Sequence, residues 1–260
     1  PYFLVSKQIN AIYGGMISAK EISQWANVHN AQSQFPTLVR RAIGKVGSIT
    51  SLTMPAGASV NVGGFDGEVF AENGNAWVPT GKSYWELSVN SKPKNKAQED
   101  YQKRTKETSE KERSNSTYIA VTARKWDKRA DWVNHKKSTG EWADVRAYDA
   151  DDLEIWLEQE TAVQLWFAEL LGKPVQSMKS AERFWTDWNR DIAPEISKDA
   201  VLISRAIERD RLLKLIKDKK DGGTIVIHAD SMEEAVAFSC AVLISSEGQE
   251  RSQAVVVNNI

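Results

Sequence analysis

WELSVNSKPKNK, residues 85–96, is the stretch on which the reading of the chain turns. Its apolar and small residues have the pattern of a strand, yet a lone carboxylate, Glu86, stands among them. Packing alone would favour Val or Ile at that position. GGFDGEVF, residues 63–70, repeats the oddity with Asp66 set among glycines, which let another backbone or a phosphate approach closely. If the two strands are neighbours, the two carboxylates converge at a sheet edge. Carboxylates held this way suit Mg²⁺ or Mn²⁺, which bind through one or two acids and keep waters and substrate phosphates. Such a metal polarises a phosphodiester and helps generate hydroxide, and a neighbouring cation offsets the charge that develops. Lys92, Lys94 and Lys96 follow at once. Isolated acids in strands also act as edge gatekeepers, and Asp-Gly is a common turn pair, so the residues alone leave both readings open.

The remaining composition narrows the field. At 260 residues the chain has room for more than one domain. No apolar run reaches the ~18 residues of a membrane span and no signal peptide opens the chain, so a cytoplasmic protein without a membrane partner is expected. Cys240 is the single cysteine, in a helix-like apolar segment, and reads as a small core residue in a reducing compartment. Ten tryptophans indicate large packed surfaces before ligand stacking. His29, His135 and His228 share no ligand spacing, which argues against zinc. The chain opens without Met and ends in strand-like AVVVNNI, which predicts a fragment whose missing part is C-terminal.

Charge is unevenly spread. Lys82–Lys137 holds 15 Lys and Arg against 8 Asp and Glu, whereas Glu141–Gly172 holds 9 acids against Arg146 alone. A basic face with an acidic flank is expected, and polyanions are natural partners for the former.

SAKEISQWANVHNAQSQFPTLVRRAI (18–43) reads as helical, with a Ser18/Glu21 capping box and a second helix opening at Pro36. The pair lacks the turn glycine of a DNA-reading helix-turn-helix and is expected to pack on a following sheet. Residues 48–90 read as three strands, 94–113 as a helix after Pro93, 116–126 as a buried strand, and 141–159 as a strand and a helix. Residues 161–199 read as a Trp-rich helical bridge. From 200, a helix, a Gly222–Gly223 turn, the strand TIVIHAD, a helix and the strand AVVVNNI predict the start of a second, parallel α/β domain, truncated at 260. Ligand loops follow such strands, but no GxxxxGK[ST] is present.

The order of a helix, strands bearing GFDG and WELS, the helix KAQEDYQKRT and the strand STYIAVTAR resembles the PD-(D/E)xK restriction-endonuclease-like superfamily over about residues 15–160. The resemblance implies an α/β nuclease-like domain, residues 1–160, with a mixed central sheet flanked by helices. It also implies a metal site in which Asp66 is the first acid and Glu86 the second. The superfamily's lysine belongs at position 88, where this chain has Ser88. Some members move it to the following helix, which makes Lys96 the candidate and Lys94 the alternative. Glu68 is a possible third ligand by strand parity with Asp66. The wider layout is similar to the N-terminal nuclease modules of large bacterial antiviral defence proteins, which implies DNA as substrate and a homo-oligomer formed through the missing C-terminal region.

Lys94, Lys103, Arg104, Arg124, Lys128 and Arg129 are the candidates for backbone phosphates, the last three in a basic loop interleaved with Trp126 and Trp132. For Arg104, a salt bridge to Asp100 is the competing expectation. The expected activity is Mg²⁺-dependent DNA hydrolysis with little sequence preference. A nuclease-like module that binds without cutting, favoured by Ser88, and a nucleotide-sensing regulator are the alternatives.

Overall fold

The computed structural model describes residues 2–3, 17–44, 49–57, 64–173, 178–218, 225–246 and 254–257. The chain divides into two compact units, Ile17–Gln159 and Glu160–Ile260 together with Pro1–Met16. The first strand, β1 (Tyr2–Phe3), therefore belongs with the end of the chain and not with the expected 1–160 domain.

The Ile17–Gln159 unit opens with α1 (Ala19–Trp25), whose capping box joins Ser18 and Glu21 as the sequence predicts. Its Ala19 N–H donates to Glu154 at 2.8 Å, pinning the helix start to a later helix. α2 (Ala31–Ile43) begins five residues before Pro36, which lies inside it. Asn30 starts the helix, and Pro36 adds its ring to a buried face of Phe35, Leu38, Val39 and Ile43. The missing Pro N–H removes one helical hydrogen bond, and that burial offsets the loss.

The strands β2 (Ile49–Thr53), β3 (Gly67–Ala71) and β4 (Gly81–Ser88) form an antiparallel meander. Residues 59–63 of the expected second strand, including Gly63, lie outside the described residues. α3 (Pro93–Glu107) and the short α4 (Glu110–Arg113) then lead to β5 (Ser116–Thr122). One helix expected over 94–113 is thus two, broken at Thr108, whose extended backbone ends α3. α5 (Arg129–Thr139) occupies the region expected to be a basic loop, before β6 (Asp144–Tyr148) and α6 (Ala150–Gln159). β5 runs parallel to both β4 and β6, giving a five-stranded mixed sheet in the order β2-β3-β4-β5-β6. A mixed α/β sheet flanked by helices is what the sequence predicts.

Every residue of β5 is buried, as a strand covered on both faces requires. On one face Tyr84, Tyr101, Tyr118, Trp126, Trp132 and Trp142 make an aromatic core under α3 and α5. Trp126 and Trp132, with ring centroids 5.2 Å apart, are therefore core residues. Trp85, Tyr148 and Trp156 group together elsewhere in the unit.

In the other unit, α7 (Thr161–Leu170), β7 (Met178–Ser180), α8 (Ala181–Asn189), α9 (Lys198–Leu202), α10 (Ala206–Asp218) and α11 (Met232–Ser245) precede β8 (Val255–Val257). β8 pairs antiparallel with both β7 and β1. The expected bridge thus supplies a strand to the same small sheet as the chain's end. Residues 225–229 of TIVIHAD are irregular, and the described strands of this unit are antiparallel. Hydrophobic runs announce strands but not the direction of their partners, and here β8 is claimed by segments distant in sequence. The Gly222–Gly223 turn lies outside the described residues. Cys240 is fully buried, and burial pushes its thiol up to about 12.

Candidate functional site

Gly67 pairs with Trp85 and Glu68 with Tyr84 across the antiparallel β3–β4 ladder. Continuing that register by one residue puts Asp66 opposite Glu86, on the same face of the sheet. The Leu87 N–H donates to Asp66 Oδ2 at 2.7 Å, so the carboxylate is held against the backbone of β4. The glycines on either side have different tasks. Gly64 has φ +120°, a conformation other residues rarely adopt, with open space where a Cβ would be. At Gly67 a Cβ would lie 2.5 Å from Met54 Cε and 3.4 Å from Trp85 Cβ. At Gly67 it is side chains of the protein, Met54 and Trp85, that come close, where the sequence leads one to expect another backbone or a phosphate.

Glu86 is 6% exposed in the central strand. Its Oε1 accepts from Arg104 Nε, while the rest of the Arg104 guanidinium donates to the Gly64 carbonyl and, at 3.0 Å, to Glu107 Oε2. The same guanidinium lies 5.0 Å from the Phe65 ring, which stacks on Tyr84 at 4.2 Å. Arg104 therefore ties α3 both to Glu86 and to the loop that carries Asp66. It is 8% exposed and turned inward, which corrects its expected role as a phosphate contact.

Lys96, eight residues earlier on α3, pairs with Asp100 Oδ1 at 2.5 Å. The partner expected for Asp100 was Arg104. Asp100, expected only as a surface salt-bridge partner, is instead part of the site: it is 9% exposed, and its charge acts on both Asp66 and Glu86. The signal was present in its four-residue spacing from Lys96 and four-residue spacing to Arg104, which put all three on one helix face.

Three carboxylates and two cations are thus gathered in a largely buried place. Burial pushes Glu86 up to about 8; Arg104 pulls the other way, and the charges of Asp66 and Asp100 add to the rise. Burial also raises Asp66, against the Leu87 N–H, with Asp100 adding to the rise. Burial disfavours the Lys96 ammonium, but the bond to Asp100 and then the charges of Glu86 and Asp66 leave its pKa raised. Tyr118 lies fully buried, its hydroxyl without a hydrogen-bond partner among the described residues, and feels the charges of Glu86 and Asp100. A narrow cleft beside the acids is lined by Glu86, Ser88, Pro93, Asp100, Thr122 and Trp126.

Asp66 Oδ1 and Glu86 Oε2 carry no hydrogen bond among the described residues, so each acid keeps one oxygen open. Carboxylate oxygens are the donor type that a hard cation such as Mg²⁺ or Mn²⁺ takes. No group of three or more His, Cys, Asp and Glu side chains is arranged to hold a metal among the described residues. Glu68 does not join the site: it is exposed and lies 3.6 Å from Lys82. Ser88 accepts from the Asn90 N–H at 3.0 Å and brings no charge.

The remaining candidate cations separate into two sets. Arg124 donates to the carbonyls of Val89, Ser23 and Ala26 at 2.9–3.0 Å, so it staples three segments of the unit and is not free for a phosphate. Arg129 is held by Asp149, at 2.8 Å, and by Asp152. Lys94, Lys103 and Lys128 are exposed and carry no ion pair among the described residues. In the other unit His228 is exposed, and Ser231 caps α11 by accepting from Glu234 at 3.0 Å.

No protein-family model matches the chain, and no curated protein or solved structure matches it.

Proposed function

We propose that the Ile17–Gln159 unit is a metal-dependent nuclease of restriction-endonuclease-like architecture, hydrolysing DNA phosphodiesters with little sequence preference. The observation that carries this reading is that Asp66, one residue before β3, is held by the Leu87 N–H of β4 next to Glu86, and that the charges of both acids act on Lys96 of α3. Asp66 and Glu86 would hold Mg²⁺ or Mn²⁺, which when bound polarises the phosphodiester and lowers the pKa of a water. Lys96 would face the developing phosphoryl charge in the role left vacant by Ser88. Arg104 keeps Glu86 and the Asp66 loop in register. Lys94, Lys103 and Lys128 would meet backbone phosphates, which gives affinity without sequence reading. By its general layout such a unit would serve as the effector of a bacterial defence protein.

Asp66→Asn and Glu86→Gln keep size and most hydrogen bonds while removing charge. Each is expected to lower plasmid cleavage in Mg²⁺ by more than ~100-fold, beyond the cost of losing a supporting residue. Cleavage by both variants at the wild-type rate would overturn the reading. A second reading is favoured by the Arg104–Glu86 pair, because a guanidinium already neutralises the acid that a metal would need. In it the unit binds nucleic acid without cutting. Binding that persists in EDTA, with no wild-type cleavage in Mg²⁺ or Mn²⁺, would select it.

A further inference from the structure

Asp100 is an expensive side chain for its position. It is 9% exposed on the inner face of α3, and its charge acts on Asp66 and Glu86, two carboxylates already short of solvent. A third like charge beside them makes the ionised state of Asp66 and Glu86 harder to hold. The neighbouring inner positions of the helix, Ala97 and Tyr101, show what packing alone asks for there. Helix stability does not explain the acid either. A Lys–Asp pair at this spacing has the cation N-terminal, the weaker of the two orders.

What Asp100 does have is Lys96, held at 2.5 Å. The Lys96 side chain is 38% exposed, and a flexible four-carbon stem of that exposure otherwise samples many rotamers. Tied back along the helix by Asp100, its ammonium lies where the charges of Glu86 and Asp66 act on it. We propose that Asp100 is the positioning residue for Lys96, fixing the ammonium beside Asp66 and Glu86 so that a substrate phosphate meets a preorganised cation. The inference rests on the nuclease reading and deepens it. Preorganised charge is worth more in a transition state than charge that must be gathered during the reaction.

The test uses the full chain, with supercoiled plasmid as substrate and Mg²⁺ in excess. Asp100→Asn is expected to lower kcat by ~10–100-fold, the usual cost of a lost supporting residue, with KM and the melting temperature close to wild type. Asp100→Glu, which keeps the charge, is expected to recover part of kcat. A second readout is independent of turnover: the ¹⁵N signal of the Lys96 ammonium, assigned by its loss in Lys96→Met. It should be sharp in the wild type and broadened in Asp100→Asn, where a neutral amide oxygen replaces the charged acceptor and holds the ammonium less tightly. Wild-type kcat in Asp100→Asn would overturn the proposal, as would a fall in kcat with the Lys96 signal unchanged. A lowered melting temperature that accounts for the whole fall would assign Asp100 a structural role and overturn it too. If the wild type cleaves nothing while the signal still broadens in Asp100→Asn, the nuclease reading has failed and the Lys96–Asp100 pair itself stands without a catalytic purpose.

Discussion

Glu86 and Arg104 form a pair whose cost and benefit are both large. Each is under a tenth exposed, and taking two charges out of water is repaid only when geometry and further hydrogen bonds are good. Arg104 meets that condition through its bonds to the Gly64 carbonyl and Glu107 and its place over Phe65. Above pH about 8, where Glu86 is ionised, removing the guanidinium leaves the carboxylate beside Asp66 and Asp100 without its bonded partner. Arg104→Met is therefore expected to destabilise the unit by about 3–5 kcal/mol in urea unfolding. Combining it with Glu86→Leu should restore most of that stability, because an apolar pair of similar volume removes the stranded charge. A double variant no more stable than the single would mean that the pair is not the source of the cost. The residue scale also explains why a strand position that packing would give to Val or Ile keeps an acid: the surrounding protein has been built to hold it.

At the scale of elements, α3 was legible because KNKAQEDYQKRT has strong helix formers behind a proline, and β5 because STYIAVT is apolar throughout. The pairing of β3 with β4 was legible too, but not the place of the acids: Asp66 lies in the bend before β3, held by the Leu87 N–H, and Glu86 stands in the central strand and not at a sheet edge. α5 was not. RADWVNHKKST buries only Trp132 and Lys136, so its sequence has no apolar stripe to announce a helix. Nor does a sequence distinguish an arginine that staples three backbone carbonyls, as Arg124 does, from one that faces solvent. That distinction depends on which segments meet, and they are far apart along the chain. The ends of α5 give a test of the local account. Lys128, at φ 57°, and Gly140, at φ 64°, both adopt the left-handed conformation that flanks the helix. Side chains other than glycine cost ~1 kcal/mol or more in that conformation. Lys128→Gly should thus stabilise the unit by up to ~1 kcal/mol, partly offset by the freer unfolded chain, while Gly140→Ala should destabilise it by ~1 kcal/mol. Chemical denaturation of the two variants should move the midpoint in opposite directions; movement in the same direction would sink the argument.

For the molecule as a whole, three side chains of the basic stretch find partners in the acidic stretch within the Ile17–Gln159 unit. Arg129 meets Asp149 and Asp152, Lys125 meets Asp151 at 2.8 Å, and Lys137 meets Asp144 at 2.8 Å. Sequence charge therefore overstates the field available to a polyanion, since paired charges cancel at a distance. Of the six side chains first assigned to phosphates, Arg104, Arg124 and Arg129 are engaged inside the unit, and Lys94, Lys103 and Lys128 remain. Each phosphate neutralised on duplex DNA releases condensed counterions and contributes ~0.9 to the slope of log affinity against log salt. Three contacts predict a slope of about −3, where six would give about −5. Fluorescence anisotropy of a labelled duplex, titrated with the Asp66→Asn chain in EDTA from low to physiological salt, measures that slope directly. A value near −5 would mean that the three arginines leave their partners on binding, and affinity indifferent to salt would remove the case for nucleic acid altogether. With three lysines only, binding should be weak at physiological salt, and triple replacement of Lys94, Lys103 and Lys128 by Gln should bring the slope close to zero.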